Sequence, residues 1–400
     1  MNVPPYALDR YGGTESRRFW AVLAAGLLVL LAGLGGAHEM ETAGHVASGM
    51  DNAVVWGLPH VFAIFMIVAA SGVLNVASVG SVFGQAPYKR RARLSGLLCI
   101  ALLAGGLMVL MLDLGRPDRV IVAATYYNPS SVFAWNVLLY SGMVAIVAVY
   151  LWTMYERRLA PWTRPAGIAA LVWRFVLTTG TGSIFGFLVA RQAYQSALLA
   201  PMFIVLSFTW GLAVFLIVQA VMMAWNGREG APEGARRMNR LLAIFVAASL
   251  YLVAVYHMTN LYFARQQDFE AFVLLGRGGG GVYATLLWLG YVAVGSVLPM
   301  ALLFGRAAAG KGTTVLAAAL VVLGGFAFLY VFVVGGQAFP LEIFPGWQAA
   351  SSFGDGEVAR YVPRWPEWML GIGGLAAAFV LTTVGVRVLD MLPRDDEAGH

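Results

Sequence analysis

Ten runs of mostly apolar residues, near 19–37, 53–81, 96–113, 132–155, 167–190, 200–225, 241–264, 282–305, 314–337 and 367–388, constrain this chain more than any other feature. About 20 such residues cross the hydrocarbon core of a bilayer as a helix, and within lipid the backbone must satisfy its own hydrogen bonds. The expected fold is therefore an all-α integral membrane protein of about ten transmembrane helices. Composition agrees, with 60% hydrophobic and only 12% charged residues, where a soluble domain carries about a quarter charged.

Taken alternately, the connections divide the cations unevenly. One side receives 18 Lys and Arg and the other seven, with Arg174 alone inside a run. The positive-inside rule then puts both termini in the cytoplasm and the 38–51 segment outside. The net charge of +6 reflects these flanking arginines, and nucleic acid is not implied. Arg17 and Arg18 read as flanks of an uncleaved anchor rather than a secretory signal. The single cysteine, Cys99, lies in an apolar run, which excludes a disulfide framework, a CxxCH haem attachment and a Cys-held cluster.

The expected organisation is an anchor helix with an outer acidic and histidine-bearing segment (1–52), a four-helix bundle (53–190), a second four-helix bundle (191–337), and an outer loop, last helix and tail (338–400). Spans two to five and six to nine form the bundles, with spans one and ten flanking them. Trp56-Gly57 and Trp210-Gly211 open similar apolar strings four spans apart, which suggests an internal repeat. The connections at 113–131 and 338–366 are long and rich in aromatics and prolines, suiting either partner docking or interfacial anchoring.

An ionisable ring inside a span is a functional candidate. His60 is such a ring, with Trp56 one helical turn before it. An imidazole donates to or accepts from a quinone carbonyl and takes up a proton, while an indole supplies a flat wall. Asp113 closes the third span at the same level and is a candidate proton relay, with Arg116 expected to hold it ionised. Ser131, Trp135 and Tyr140 begin the fourth span and are candidate pocket linings. Arg174 faces the bundle interior, either in a structural ion pair or in a proton half-channel, and Glu39 and Glu41 are the acidic candidates for the outer end of a proton path. His257 sits at a depth comparable to His60, and that pair is the candidate set of axial ligands if a b-type haem is bound.

The strings VVWGLPHVFAIFMIVAASGVLNVAS, LDLGRP at 112–117 and PSSVFAWN at 129–136 resemble the NrfD/PsrC family of membrane subunits of respiratory complexes. With ten spans and the opening HEMETAGHVASGMDN, the chain is most similar to the DsrP type found in Dsr sulfur-metabolism complexes. The resemblance implies a subunit without a covalent cofactor that reacts with a quinone, menaquinone or ubiquinone. It also implies a ferredoxin-like iron–sulfur subunit on the outer face, further membrane, cytochrome or catalytic subunits, and a bacterial inner-membrane location. By the same resemblance His60 contacts the quinone, Asp113 is the acidic group before the LGRP element, and Ser131 and Trp135 open the next helix. The expected function is quinone/quinol-linked electron transfer in dissimilatory sulfur metabolism. The alternatives are a b-haem electron carrier and a secondary transporter or proton channel.

Overall fold

The computed structural model describes residues 17–89, 91–225, 232–305, 310–341, 356–389 and 391–392; residues 342–355 of the 338–366 connection and the tail from 393 lie outside these. Among the described residues there are helices and no strands, and ten helices are long and apolar enough to cross a membrane. We label them α1 (Arg17–Ala43), α2 (Leu58–Ser81), α3 (Ala92–Leu112), α4 (Val132–Tyr155), α5 (Thr163–Gly186), α6 (Leu199–Trp225), α7 (Pro232–Tyr262), α8 (Gly281–Phe304), α9 (Lys311–Ala338) and α10 (Trp365–Val388). This is a multi-pass integral membrane protein.

At the centre lies α2, the most buried of the ten. It packs against α3, α5, α6 and α10, while α4 closes against α3 and α5. Around α6 gather α7 and α9, and α8 packs along α9. The α2–α6 crossing is the seam between these groups. A Cβ on Gly72 would fall 1.6 Å from Ser207 O, and one on Gly211 would fall 2.3 Å from the Gly72 carbonyl carbon. With no hydrophobic drive between helices in lipid, this close backbone approach supplies the packing attraction. Gly33 and Gly373 perform the same function between α1 and α10, where a Cβ on Gly33 would fall 2.6 Å from the Gly373 Cα. Because Gly26 meets Phe379 while Gly36 meets Pro366, α1 and α10 run antiparallel. Arg17 and Val388 therefore share one end of the bundle, and α2 begins at the opposite end.

The first helix is longer than its apolar run, and HEMETA continues it as far as Ala43. Conversely, α2 begins at Leu58 rather than at 53, because Gly57 is extended (φ −83°, ψ −157°) and Pro59 stands in the first turn, where its missing N–H costs nothing. The Trp-Gly pairs are accordingly not equivalent: Trp56-Gly57 precedes α2, whereas Trp210-Gly211 is in the middle of α6. Two helices carry wide turns with hydrogen bonds five residues apart, Leu286–Val297 in α8 and Tyr330–Gly335 in α9. Pro299 follows the first and has no N–H to return to Gly295. At the second, the Tyr194 hydroxyl donates to the carbonyls of Phe332 and Val333 at 3.2 and 3.1 Å.

Candidate functional site at the head of α2

The extended segment before α2 is fixed from several sides. Asp51 Oδ1 accepts from the Ala53 and Val54 N–H groups at 2.9 and 2.7 Å. Gln337, buried on α9, lies beside residues 55 and 56 as an added strand would. Its Oε1 accepts from Val55 N and Trp56 N at 3.1 and 3.0 Å, and its Nε2 donates to Trp56 O at 3.0 Å. The Arg191 guanidinium, in the α5–α6 connection, donates to Ala53 O at 2.8 Å and to Gln337 O at 2.7 Å. The free Leu58 N–H donates to the Tyr361 hydroxyl at 2.6 Å, which in turn donates to the fully buried Glu367 at 2.5 Å. Glu367 also accepts from Gly49 N and Arg364 N at 2.8 and 2.7 Å. Burial first, and then the bond to Glu367, push the Tyr361 hydroxyl far above the ordinary phenol range, so it remains a donor.

On this support His60, the third residue of α2, meets Asp113, the C-cap of α3. The His60 Nδ1 to Asp113 Oδ2 distance is 2.6 Å, with side-chain exposures of 13% and 1%. A carboxylate at a helix C-terminus faces the negative end of the dipole. Here the antiparallel neighbour places the positive end of α2 and an imidazole beside it. The contact is at ion-pair distance but not directed, and neither His60 Nδ1 nor either Asp113 oxygen completes a hydrogen bond. A buried carboxylate left in this way is costly, and it is set to accept from a ligand or a shifted imidazole. Trp56 stacks on the His60 ring (centroids 6.0 Å, 27° between planes) and is backed by Phe133 at 6.2 Å and Phe185 at 5.7 Å.

The other candidates lie elsewhere. Ser131 caps α4, accepting from Ala134 N at 3.4 Å. Trp135 is exposed, with its Nε1 on Pro129 O at 2.6 Å; Phe133, on the other face of the same turn, is the residue that reaches Trp56. Tyr140 bonds Thr181 deeper between α4 and α5, below the buried Asn136, whose Oδ1 has no partner. Arg116 pairs with Asp118 through two nitrogens at 3.1 Å, both side chains exposed, and this bond holds the Asp118 carboxyl below its usual range. Glu39 and Glu41 are exposed on the last turns of α1, and the His45 ring lies against Gly115. Arg174 is 4% exposed and lies over the rings of Phe175 and Phe208 at 5.1 and 5.7 Å, with Nε and Nη1 unpartnered.

His257 has its own carboxylate, which the sequence reading missed. Its Nδ1 lies 2.7 Å from Glu270 Oε2, and Glu270 Oε1 accepts from Asn260 Nδ2 at 2.8 Å. Glu270 stands on a short helix, Gln267–Leu275, between the buried Phe269 and Phe272. An acid between apolar residues of an amphipathic turn was the available signal. His60 and His257 thus belong to two separate pairs, one with Asp113 and one with Glu270. Among the described residues no three His, Cys, Asp or Glu side chains converge.

Comparison with known proteins places the chain in a family. The chain is 29% identical to the Hdr-like menaquinol oxidoreductase integral membrane subunit of Archaeoglobus fulgidus, over 86% of this chain and 87% of that protein. It is 21% identical to the C subunit of selenate reductase from Mesobacillus selenatarsenatis, over 88% of this chain and 89% of that one. To the protein NrfD of Escherichia coli it is 25% identical, over 62% of this chain and 84% of the relative. Residues 46–341, which span the head of α2, Asp113 and both histidine–carboxylate pairs, match the family described as polysulphide reductase, NrfD, and the chain belongs to that family.

Proposed function

We propose that this chain is the quinone-reactive membrane subunit of a respiratory electron-transfer complex, and that His60 and Asp113 hold the quinone headgroup. The observation that carries this reading is the pair itself. An imidazole and a buried carboxylate stand in contact at the end of a span, one-eighth and one-hundredth exposed, with the carboxylate oxygens unsatisfied and an indole stacked alongside. The relative named as a menaquinol oxidoreductase subunit supports the substrate class.

In the quinol-oxidising direction a quinol hydroxyl donates to His60, and the imidazole takes its proton. Asp113 stabilises the imidazolium and carries the proton onward, while Trp56 keeps the ring seated. Two electrons and two protons leave each quinol, and reduction runs over the same groups in reverse. The arginine distribution supports an outer position for this end of the bundle. An iron–sulfur subunit docks there and exchanges the electrons, in a complex of dissimilatory sulfur metabolism in a bacterial inner membrane. Arg174, buried on the α5 side of α2 beside the Ser71–Thr178 hydrogen bond, belongs to the proton path that leads inward.

The test is quinol-linked turnover of the assembled complex with His60→Ala and Asp113→Asn. Removing a general acid–base group lowers turnover about 10²- to 10⁴-fold. Assembled complex that retains near-normal quinol turnover in both variants would overturn the assignment.

A further inference from the structure

The His257–Glu270 pair takes no part in the site at the head of α2, yet it repeats that site's chemistry at the same end of the bundle. The Tyr256 hydroxyl donates to Ala193 O, in the same connection whose Arg191 binds Ala53 O. A continuous layer of rings joins the two histidines. Tyr256 lies 5.0 Å from His257 and 6.4 Å from Phe332, and Phe332 lies 4.9 Å from Phe185, which backs Trp56. The two imidazoles retain nearly equal exposure, 12% and 13%.

Glu270 is fully buried. A carboxylate withdrawn from water within a membrane protein is costly, and an amide would serve as well to tie the Gln267–Leu275 helix to α7. Both of its oxygens are occupied, so any proton it exchanges passes through His257. The bonding also fixes the ring. A carboxylate already accepting from Asn260 accepts again from Nδ1–H, and in the neutral imidazole this leaves the lone pair on Nε2. Among the described residues Nε2 has no hydrogen-bond partner, and it is the edge left to meet a ligand.

We infer that His257 and Glu270 form a second headgroup site, selective for hydroquinone over quinone. The ligand class rests on the reading of His60 given above; the site itself does not require His60. A hydroquinone hydroxyl donates to the Nε2 lone pair, whereas a quinone carbonyl finds no donor there. At His60 the undirected contact with Asp113 leaves either tautomer accessible, and that site takes both forms.

The experiment uses the full chain in nanodiscs of quinone-free synthetic phosphatidylcholine, probed by equilibrium dialysis with a short-tailed naphthoquinone and, under dithionite, its hydroquinone. We expect two equivalents of hydroquinone and one of quinone per chain. His60→Ala and His257→Ala should each remove one equivalent of hydroquinone, and only His60→Ala should remove the quinone. Glu270→Gln, which retains an acceptor for Asn260, guards against misfolding of the alanine variant. Its amide oxygen stays on Asn260, its NH2 turns to Nδ1, and the ring proton moves to Nε2, so this site should lose hydroquinone and gain quinone. A single hydroquinone equivalent that is lost in His60→Ala and unchanged in His257→Ala and Glu270→Gln would overturn the inference and leave the reading of His60 standing. A single equivalent lost only in the His257 and Glu270 variants would uphold the inference and overturn that reading. Two equivalents with no preference for the reduced form would overturn the selectivity, and no binding by folded chain would overturn both.

Discussion

The two histidine–carboxylate pairs use the same groups at nearly the same distance, 2.6 Å at His60–Asp113 and 2.7 Å at His257–Glu270. They differ in what the carboxylate has left to bond. Glu270 is taken by His257 and Asn260, while neither oxygen of Asp113 completes a hydrogen bond. Their supports differ in the opposite sense. Asp113 ends a long span and meets His60, whose helix follows a backbone segment clamped by Gln337 and Arg191, whereas Glu270 rides on a nine-residue helix. In the first pair the surroundings are tied down and the carboxylate makes no directed hydrogen bond to the protein; in the second both carboxylate oxygens are bonded and one ring edge remains. Distance alone does not separate these cases, and hydrogen-bond accounting does.

The largest effect expected is on chemistry. Asp113→Asn should lower quinol-linked turnover by at least about 100-fold while changing the unfolding free energy by less than about 1 kcal/mol, because no completed bond is lost. Turnover and thermal unfolding of one preparation check both halves. Glu270→Ala should behave in the opposite way. It leaves His257 Nδ1 and Asn260 Nδ2 without an acceptor, and each buried donor left unsatisfied costs about 1–3 kcal/mol, read as an earlier thermal transition in detergent. Equal destabilisation by the two substitutions would erase the contrast.

A smaller effect is expected from the clamp. Gln337→Leu removes the acceptor of two N–H groups beside Trp56, and it should raise KM for quinol about tenfold, corresponding to about 1.4 kcal/mol, with kcat little changed. A loss confined to kcat would place Gln337 in the chemistry instead. The smallest effect belongs to Asp118→Asn. Arg116 holds the Asp118 carboxyl low, so the pair's contribution is present at neutral pH and fades as acid protonates the group. Both side chains are exposed, solvent screens them, and neither turnover nor thermal stability should move.

Much of the fold was legible because lipid reduces the problem to run length: all ten apolar runs are helices. Helix ends were less legible. The polar HEMETA string continues α1, and Gly57-Leu58-Pro59 delays α2, since capping and tertiary hydrogen bonds decide ends where hydropathy does not. At the site, a lone histidine and a carboxylate closing a span stood out against an apolar background, and the structure brings His60 and Asp113 together. Arg116, Ser131 and Trp135 stood out for the same reason, and they lie on an exposed ion pair, a helix cap and an exposed face. Polarity near a span end does not say which way a side chain points. Glu270 and Gln337 escaped notice because their partners lie 13 residues away on another helix and 281 residues away across the bundle.

By itself the sequence determined the membrane class, the number of spans and the residue types available for proton chemistry, because hydropathy and ionisable groups are properties of single residues and short runs. Only the tertiary structure decided which histidine meets which carboxylate and which carboxylate is hydrogen-bonded by the protein, because a hydrogen bond is a relation between two groups whose distance and direction are set by how α2, α3, α7 and the Gln267–Leu275 helix pack.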